Sequence, residues 1–243
     1  LSGLGDQHVQ NVIHRLRSLF KVEVELKIPK VPYRETITST GSCPYRHKKQ
    51  TGGRGQFAEV HLRLEPLSTA EFEFSNEVVG GNIPRNFIPA VEKGVAAAMA
   101  EGFLAGYPVV DVEVQLYDGK HHPVDSSDMA FQIAGSIGFK AAVEKAQPVL
   151  LEPIMNGDLN VHDGLEENVG DIIGDLNARR GRVLGTTPRG HNNVVGAEVP
   201  LAEMLTYAPD LTSMTGGRGD YHMELLRYDE VPAHLTAKIV EQA

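Results

Sequence analysis

The chain has 243 residues, enough for one large domain or two ordinary ones, and 41% of them are apolar, enough for a real core. Its 32 acidic against 23 basic residues leave a formal charge of −9, which excludes a wholesale nucleic-acid coat but leaves room for local basic surfaces. The single cysteine, Cys43, cannot form an internal disulfide and fits a reducing compartment, and no apolar run approaches the ~20 residues of a membrane span.

The first residues, Leu1 to Asp6, lack the basic start and apolar core of a secretory signal. They lead from a Gly-rich turn straight into a helix, and the expectation is a piece of a longer protein. Asp6 to Phe20 is a predicted helix, with Val9, Val12, Ile13, Leu16, Leu19 and Phe20 on one apolar stripe. Val22 to Ile28 then alternates as a predicted strand. A helix and a strand without partners are too little for a domain, which again points to truncation.

Pro29 and Pro32 mark a junction. Tyr33 to Ser42 is a predicted strand, followed by a basic loop from Arg46 to Gln56. Val60, Leu62 and Leu64 predict another strand, Phe72 and Phe74 a further one, and Asn86 to Glu101 a helix. Val110, Val112, Val114 and Leu116 alternate with polar residues, and Ala130, Ile133, Ala134 and Ile137 fall at helical spacing in a helix reaching about Ala146. Asp125 or Ser126 is the expected cap of that helix. Between strand and helix lie Lys120, His121, His122 and Pro123. Rigid elements on both sides would hold this loop out as a probe that touches something large.

Pro148 and Pro153 bracket a second junction. Beyond it come a strand near Leu159–Val161, a helix over Glu166–Ala178, and strands over Arg182–Thr187 and Asn193–Val199. A helix over Leu201–Leu211 and a strand over Tyr221–Tyr228 complete βαββαβ, the ferredoxin-like order. A short helix from Leu235 to Ala243 ends the chain. Thr51-Gly52-Gly53-Arg54-Gly55 is echoed by Thr215-Gly216-Gly217-Arg218-Gly219, two entries into strands rather than a repeat architecture.

No P-loop and no Rossmann fingerprint occurs, so the glycines of Thr51–Gln56 are not a recognised nucleotide loop. Glycines beside Lys49 and Arg54 suit either RNA-backbone contact or a plain hairpin connection. Adjacent His121 and His122 point opposite ways in extended chain and have no nearby cysteine, so no metal site is expected. His122, Asp125 and Ser126 lack the strained elbow of a nucleophile, and no catalytic residue is expected. From Thr36 to Ala58 and from Ala178 to Asn193 there is no acid, while Arg179, Arg180, Arg182 and Arg189 fall in the second stretch. One or two of these arginines answer a helix dipole; four without a compensating acid ask for an external phosphate.

Several collinear segments resemble bacterial elongation factor G. They include Pro32–Ile37, Lys49–Gln56, Val79–Pro84, Ala105–Val109, Val124–Phe131, Leu151–Met155, Arg179–Gly181 and Val199–Met204. The resemblance implies an α+β chain: a two-layer domain IV fold with a left-handed βαβ crossover, followed by a ferredoxin-like βαββαβ domain. Residues 1–30 would be part of domain III, 31–152 domain IV, 153–230 domain V, and 231–243 a helix packing back on domain IV.

It further implies a monomeric cytoplasmic factor of protein biosynthesis that binds the ribosome and drives translocation of transfer RNA and messenger RNA. GTP and magnesium would be held in an N-terminal domain absent here, and this chain would carry no cofactor. Lys49, Gly52, Gly53, Arg54, Gln56, Lys120, His121 and His122 would form the tip that enters the decoding site. Arg179, Arg180, Arg182 and Arg189 would contact large-subunit ribosomal RNA. Pro123 stands where the family has an acidic residue, Lys120 and His121 make the tip more basic, and Asn156–Asn168 is longer than the usual connection. These departures fit an elongation-factor-G-like paralogue. Competing readings are a ribosomal protection protein for tetracycline resistance, a phosphotransferase on the two-layer fold, and a protein–protein module.

Overall fold

The computed structural model describes residues 6–25, 27–50, 55–162, 166–190 and 192–242. In chain order the elements are α1 (Asp6–Phe20), β1 (Arg34–Ile37), β2 (Gly41–Lys49), β3 (Gln56–Pro66) and β4 (Phe72–Asn76). A short 3-10 turn (Arg85–Phe87) runs into α2 (Ile88–Glu101), then come β5 (Val112–Lys120), α3 (Asp128–Lys145) and β6 (Pro148–His162). The rest is α4 (Glu166–Ala178), β7 (Arg182–Arg189), β8 (Asn192–Pro200), α5 (Leu201–Met204), α6 (Tyr207–Thr215), β9 (Gly219–Glu230) and α7 (Ala233–Gln242). They fall into two compact units, one drawn from 32–151 and 230–243, the other from 1–31 and 152–229.

In the first unit the sheet order is β2-β3-β5-β4. Neighbours are antiparallel except β4 and β5, which run parallel and are joined through α2 as a βαβ crossover. Period-two patterning turns Ala58, Val60, Leu62 and Leu64 of β3 and Val112, Val114 and Leu116 of β5 to one face, where all are fully buried under α2 and α3. Burial of each of the larger side chains contributes roughly 1.5–3 kcal/mol. The helices cross closely because Gly94 and Gly135 carry no side chain. A Cβ on Gly94 would lie 2.1 Å from the Gln132 carbonyl oxygen, and one on Gly135 2.6 Å from that of Val91. β1 pairs with residues 148–151 of β6 and places Glu35 inside, 1% exposed. Its carboxylate accepts the backbone N–H groups of Phe103, Leu104, Ala105 and Tyr107 at 2.6–3.1 Å, so the connection after α2 folds around one charge.

In the second unit β9 pairs with β6, β6 with β8, and β8 with β7. That order, with α4 and α6 as the crossing helices, is the predicted ferredoxin-like arrangement. Leu159, Ile172, Leu176, Val195, Tyr207 and Leu211 lie at its core.

Several sequence expectations are corrected. Residues 22–25 and 27–28 are not in a strand: no described strand pairs with them, Val22, Val24 and Ile28 are exposed, and alternation without a partner leaves the backbone unladdered. Tyr33–Ser42 divides into β1 and β2 because the two halves pair with different strands. Arg46 to Lys49 belong to β2, not to a loop, with Arg46 opposite Glu59 and Lys49 opposite Gln56. Pro148 and Pro153 do not interrupt the chain's extension. The ladder with β1 ends at Leu151 and the ladder with β8 starts at Ile154, so Pro153 falls where neither requires its N–H.

The predicted helix over Leu201–Leu211 breaks into α5 and α6. A continuous helix would set Pro209 against the Leu205 carbonyl, whereas the break puts it in the first turn of α6. The longer stretch after Asn156 is strand as far as His162, in unbroken register with residues 192–198 of β8. Gly216 of the second Thr-Gly-Gly-Arg-Gly segment caps α6 at φ 57°, while residues 51–54 of the first lie outside the described residues.

Candidate nucleic-acid interface

Register alone brings three connections to one end of the four-stranded sheet. β5 runs antiparallel to β3 with Lys120 opposite Glu59, and β4 runs parallel to β5 with Asn76 opposite Leu116. The β2–β3 turn, the connection after β4 and the β5–α3 loop therefore share that end. Of the expected tip residues, Gly52, Gly53 and Arg54 lie outside the described residues. Lys49, Lys120, His121 and His122 are exposed, as are Pro123 and Val124, and Gln56 is half-buried with its Oε1 2.9 Å from His47 Nε2.

The β5–α3 loop is fastened to β3. Ser126 donates its hydroxyl to the Phe57 carbonyl at 2.7 Å, and the Phe57 N–H donates to the Asp125 carbonyl at 2.9 Å. Ser126 Oγ also accepts the His122 N–H at 2.9 Å. Ser127, rather than Asp125 or Ser126, caps α3 by accepting the Ala130 N–H. Asp125 and Ser126 are thereby freed to shape the loop.

The two imidazoles acquire opposite characters from their partners. His122 Nδ1 accepts the N–H groups of Val124 at 3.3 Å and Asp125 at 3.1 Å, which places the proton of the neutral ring on Nε2 as an outward donor. His121 Nδ1 lies 3.0 Å from the Asn82 carbonyl oxygen, so it must donate, which in the neutral ring leaves Nε2 as the acceptor. Among the described residues no group of three His, Cys, Asp or Glu side chains could hold a metal ion.

Two carboxylates stand behind Lys120. Hydrogen bonds from Asn82 and from the Gly119 N–H hold Asp118 below the usual carboxylate range. Burial alone would raise Glu59, but hydrogen bonds from Arg46 and His61, with the charges of Arg46 and Lys120, outweigh it and hold Glu59 low. Arg46 is thus engaged within the chain. The side chains of Lys48, Lys49 and Lys120 make no hydrogen bond or ion pair among the described residues.

The same sorting corrects the second basic island. Arg179 bonds Asp175 at 2.7 Å, Asp210 at 2.6 Å and the Glu203 carbonyl at 2.9 Å. Arg180 bonds Glu152 at 2.6 and 2.9 Å and Glu203 at 2.9 Å. The compensating acids exist but lie 23 to 31 residues away for Arg180 and for the Arg179–Asp210 pair, beyond any local charge count. The guanidinium groups of Arg182 and Arg189, exposed on β7, remain without a hydrogen bond or ion pair among the described residues. Sequence reasoning also left the connection after β4 out of the tip. Its signal was Gly80-Gly81, now seen with φ of 74° and 73°.

The family model described as elongation factor G, domain IV, matches residues 29–147, and the one described as elongation factor G C-terminus matches residues 149–239. The elongation factor G-like protein of Thermotoga maritima is 52% identical over 244 aligned residues, covering 100% of this chain and 35% of that protein. Elongation factor G of Aquifex pyrophilus is 50% identical over 241 residues, covering 99% of this chain and 34% of its own length. A crystal structure from Thermus thermophilus superposes with a TM-score of 0.87 at 47% identity, covering 99% of this chain and 36% of the other. The chain spans about a third of the length of the curated relatives it matches.

Proposed function

The chain belongs to the elongation factor G family, carrying its domain IV and C-terminal regions, and from that membership we propose that it is the ribosome-binding arm of a larger translational GTPase. In this reading residues 31–152 are domain IV, 153–230 domain V, 231–243 a helix that returns to domain IV, and 1–30 the end of domain III. GTP and magnesium belong to the part of the protein outside this chain, where hydrolysis supplies the energy. The chain itself does no covalent chemistry. It acts as a monomer in the cytoplasm.

The tip would enter the small-subunit decoding site, occupy space vacated by transfer RNA, and keep the codon–anticodon duplex from slipping back. The observation that supports this is an exposed basic loop locked to its sheet: Lys120 as a cation for phosphate and His122 as an Nε2–H donor, fixed by Ser126 and Phe57. A pre-set donor loses little freedom on binding. Lys49 lies across the same sheet end, and Gly52, Gly53 and Arg54 follow it in the chain, between β2 and β3. Arg182 and Arg189 are the cations free to reach large-subunit RNA, with Arg179 and Arg180 bracing the surface that presents them. The relatives named above are called elongation factors, and none of the tip geometry favours drug protection or phosphoryl transfer.

Lys120→Ala with His122→Ala in the full-length protein tests the reading. Translocation should slow at least about tenfold, the equivalent of one lost contact of ~1.4 kcal/mol, with ribosome-stimulated GTP hydrolysis unchanged. Lost hydrolysis with normal translocation would overturn it.

A further inference from the structure

The connection from β4 to α2 was not part of the expected tip, yet it reaches the same sheet end and is anchored there along its length. The Glu77 N–H donates to the Leu116 carbonyl at 2.8 Å. The Asn82 amide donates to Asp118 at 2.9 Å, and its carbonyl takes the proton of His121 Nδ1 at 3.0 Å. Ile83, 2% exposed, fills the space over Gly119, where a Cβ would lie 2.5 Å from Ile83 Cδ1. Farther along, Phe87 stacks on Phe131 of α3 with centroids 4.8 Å apart.

What these anchors leave outside is Val79, Gly80 and Gly81. Val79 is 79% exposed, more than any other large apolar side chain among the described residues. Scattered exposed valines are ordinary; this one sits on a turn hydrogen-bonded to a tip histidine. Gly80 and Gly81 both hold positive φ, which side chains rarely tolerate, and a Cβ on Gly81 would meet nothing within 4 Å. Packing therefore does not demand glycine here. The backbone conformation does, and without side chains it leaves the main chain of the turn uncovered. Between the Asn82 and Phe87 anchors comes Arg85, exposed, its guanidinium without a hydrogen bond or ion pair among the described residues. Of the nearby acids, Asp118 is occupied by Asn82 and Gly119, and Glu77 lies at the base where the connection leaves the sheet.

We infer that residues 77–85 form a third RNA-contacting finger of the tip. Arg85 takes a backbone phosphate, and Val79 with the bare Gly80–Gly81 turn packs on the sugar–base face of the same strand. The inference rests on the ribosome-binding reading above. His121 joins this finger to the loop that carries His122, so the two present one surface.

The test places a photo-crosslinking amino acid at Val79, and separately at His122, in the full-length protein bound to ribosomes. Because Val79 makes no buried contact, its replacement should leave the thermal midpoint unchanged. Crosslinks to ribosomal RNA from both positions are expected. In parallel, Arg85→Ala should weaken ribosome binding several-fold and lower the salt slope of binding by about one. Crosslinks from His122 with none from Val79, or from Val79 to ribosomal protein alone, would sink the finger and leave the function standing. Crosslinks from neither position would remove both.

Discussion

Arg180 and Glu152 meet through two parallel hydrogen bonds, Nη1 to Oε1 at 2.6 Å and Nη2 to Oε2 at 2.9 Å. The Glu152 side chain is 4% exposed, so this fork is what makes a buried carboxylate tolerable. It also removes Arg180 from the set of cations free to bind a phosphate. Two arginines two residues apart, Arg180 and Arg182, thus have different work.

Arg180→Ala should destabilise the second unit by about 3 kcal/mol, because it strands Glu152 in a dry site. The change should appear as a lower urea midpoint, with Glu152→Gln added to the variant restoring part of the loss. Arg182→Ala and Arg189→Ala, at exposed positions, should move the midpoint by less than about 0.5 kcal/mol. Their effect should fall instead on RNA binding and its salt dependence. A stable Arg180→Ala protein with weakened RNA binding would reverse these assignments.

Glu35→Gln replaces one acceptor oxygen by a donor facing backbone N–H groups that have no other partner. Because one or two buried donors lose their bonds, the cost should be about 3 kcal/mol, read from denaturant unfolding. Faster hydrogen exchange should accompany it at one pair, Phe103 with Leu104 on Oε2 or Ala105 with Tyr107 on Oε1, since the replaced oxygen releases the two amides it held. Exchange unchanged at these four amides would show that the carboxylate is not their anchor.

Glu59 makes the first unit acid-sensitive. Its folded pKa lies below the ordinary 4.5, so the proton is bound more weakly in the folded than in the unfolded chain. The stability it contributes is therefore fully present above 4.5 and is lost as pH falls through the lower folded value. Glu59→Gln should reduce stability at neutral pH and make unfolding less steeply dependent on pH below 4.5. Asp118, held low in the same way, should keep part of that dependence in the variant. Parallel acid-unfolding curves for the two proteins would refute a role for Glu59.

Some of this was legible from neighbours in the chain. α1 and α4 begin and end where periodicity places them, at Asp6–Phe20 and Glu166–Ala178, because a helix is specified by residues three and four apart. The exposed loop at His121–Val124, with Lys120 at the strand end before it, was legible too, since strand alternation stops ahead of it and helical spacing starts after it. The histidine tautomers were not. They depend on the Asn82 carbonyl for His121, and for His122 on a loop conformation that Ser126 holds against Phe57, 69 residues away.

The sequence by itself determined most of the helices and strands, the family resemblance and the basic character of the projecting loop. These rest on short-range spacing and on residue identity. Tertiary structure decided which cations are free, which serine caps α3, that the described residues of 22–28 form no strand, and that Asn82 lies beside His121. The physical reason is common to all four: a charge, a hydroxyl or a strand edge is satisfied by whatever folding brings within about 3 Å, and that partner's place along the chain is unconstrained.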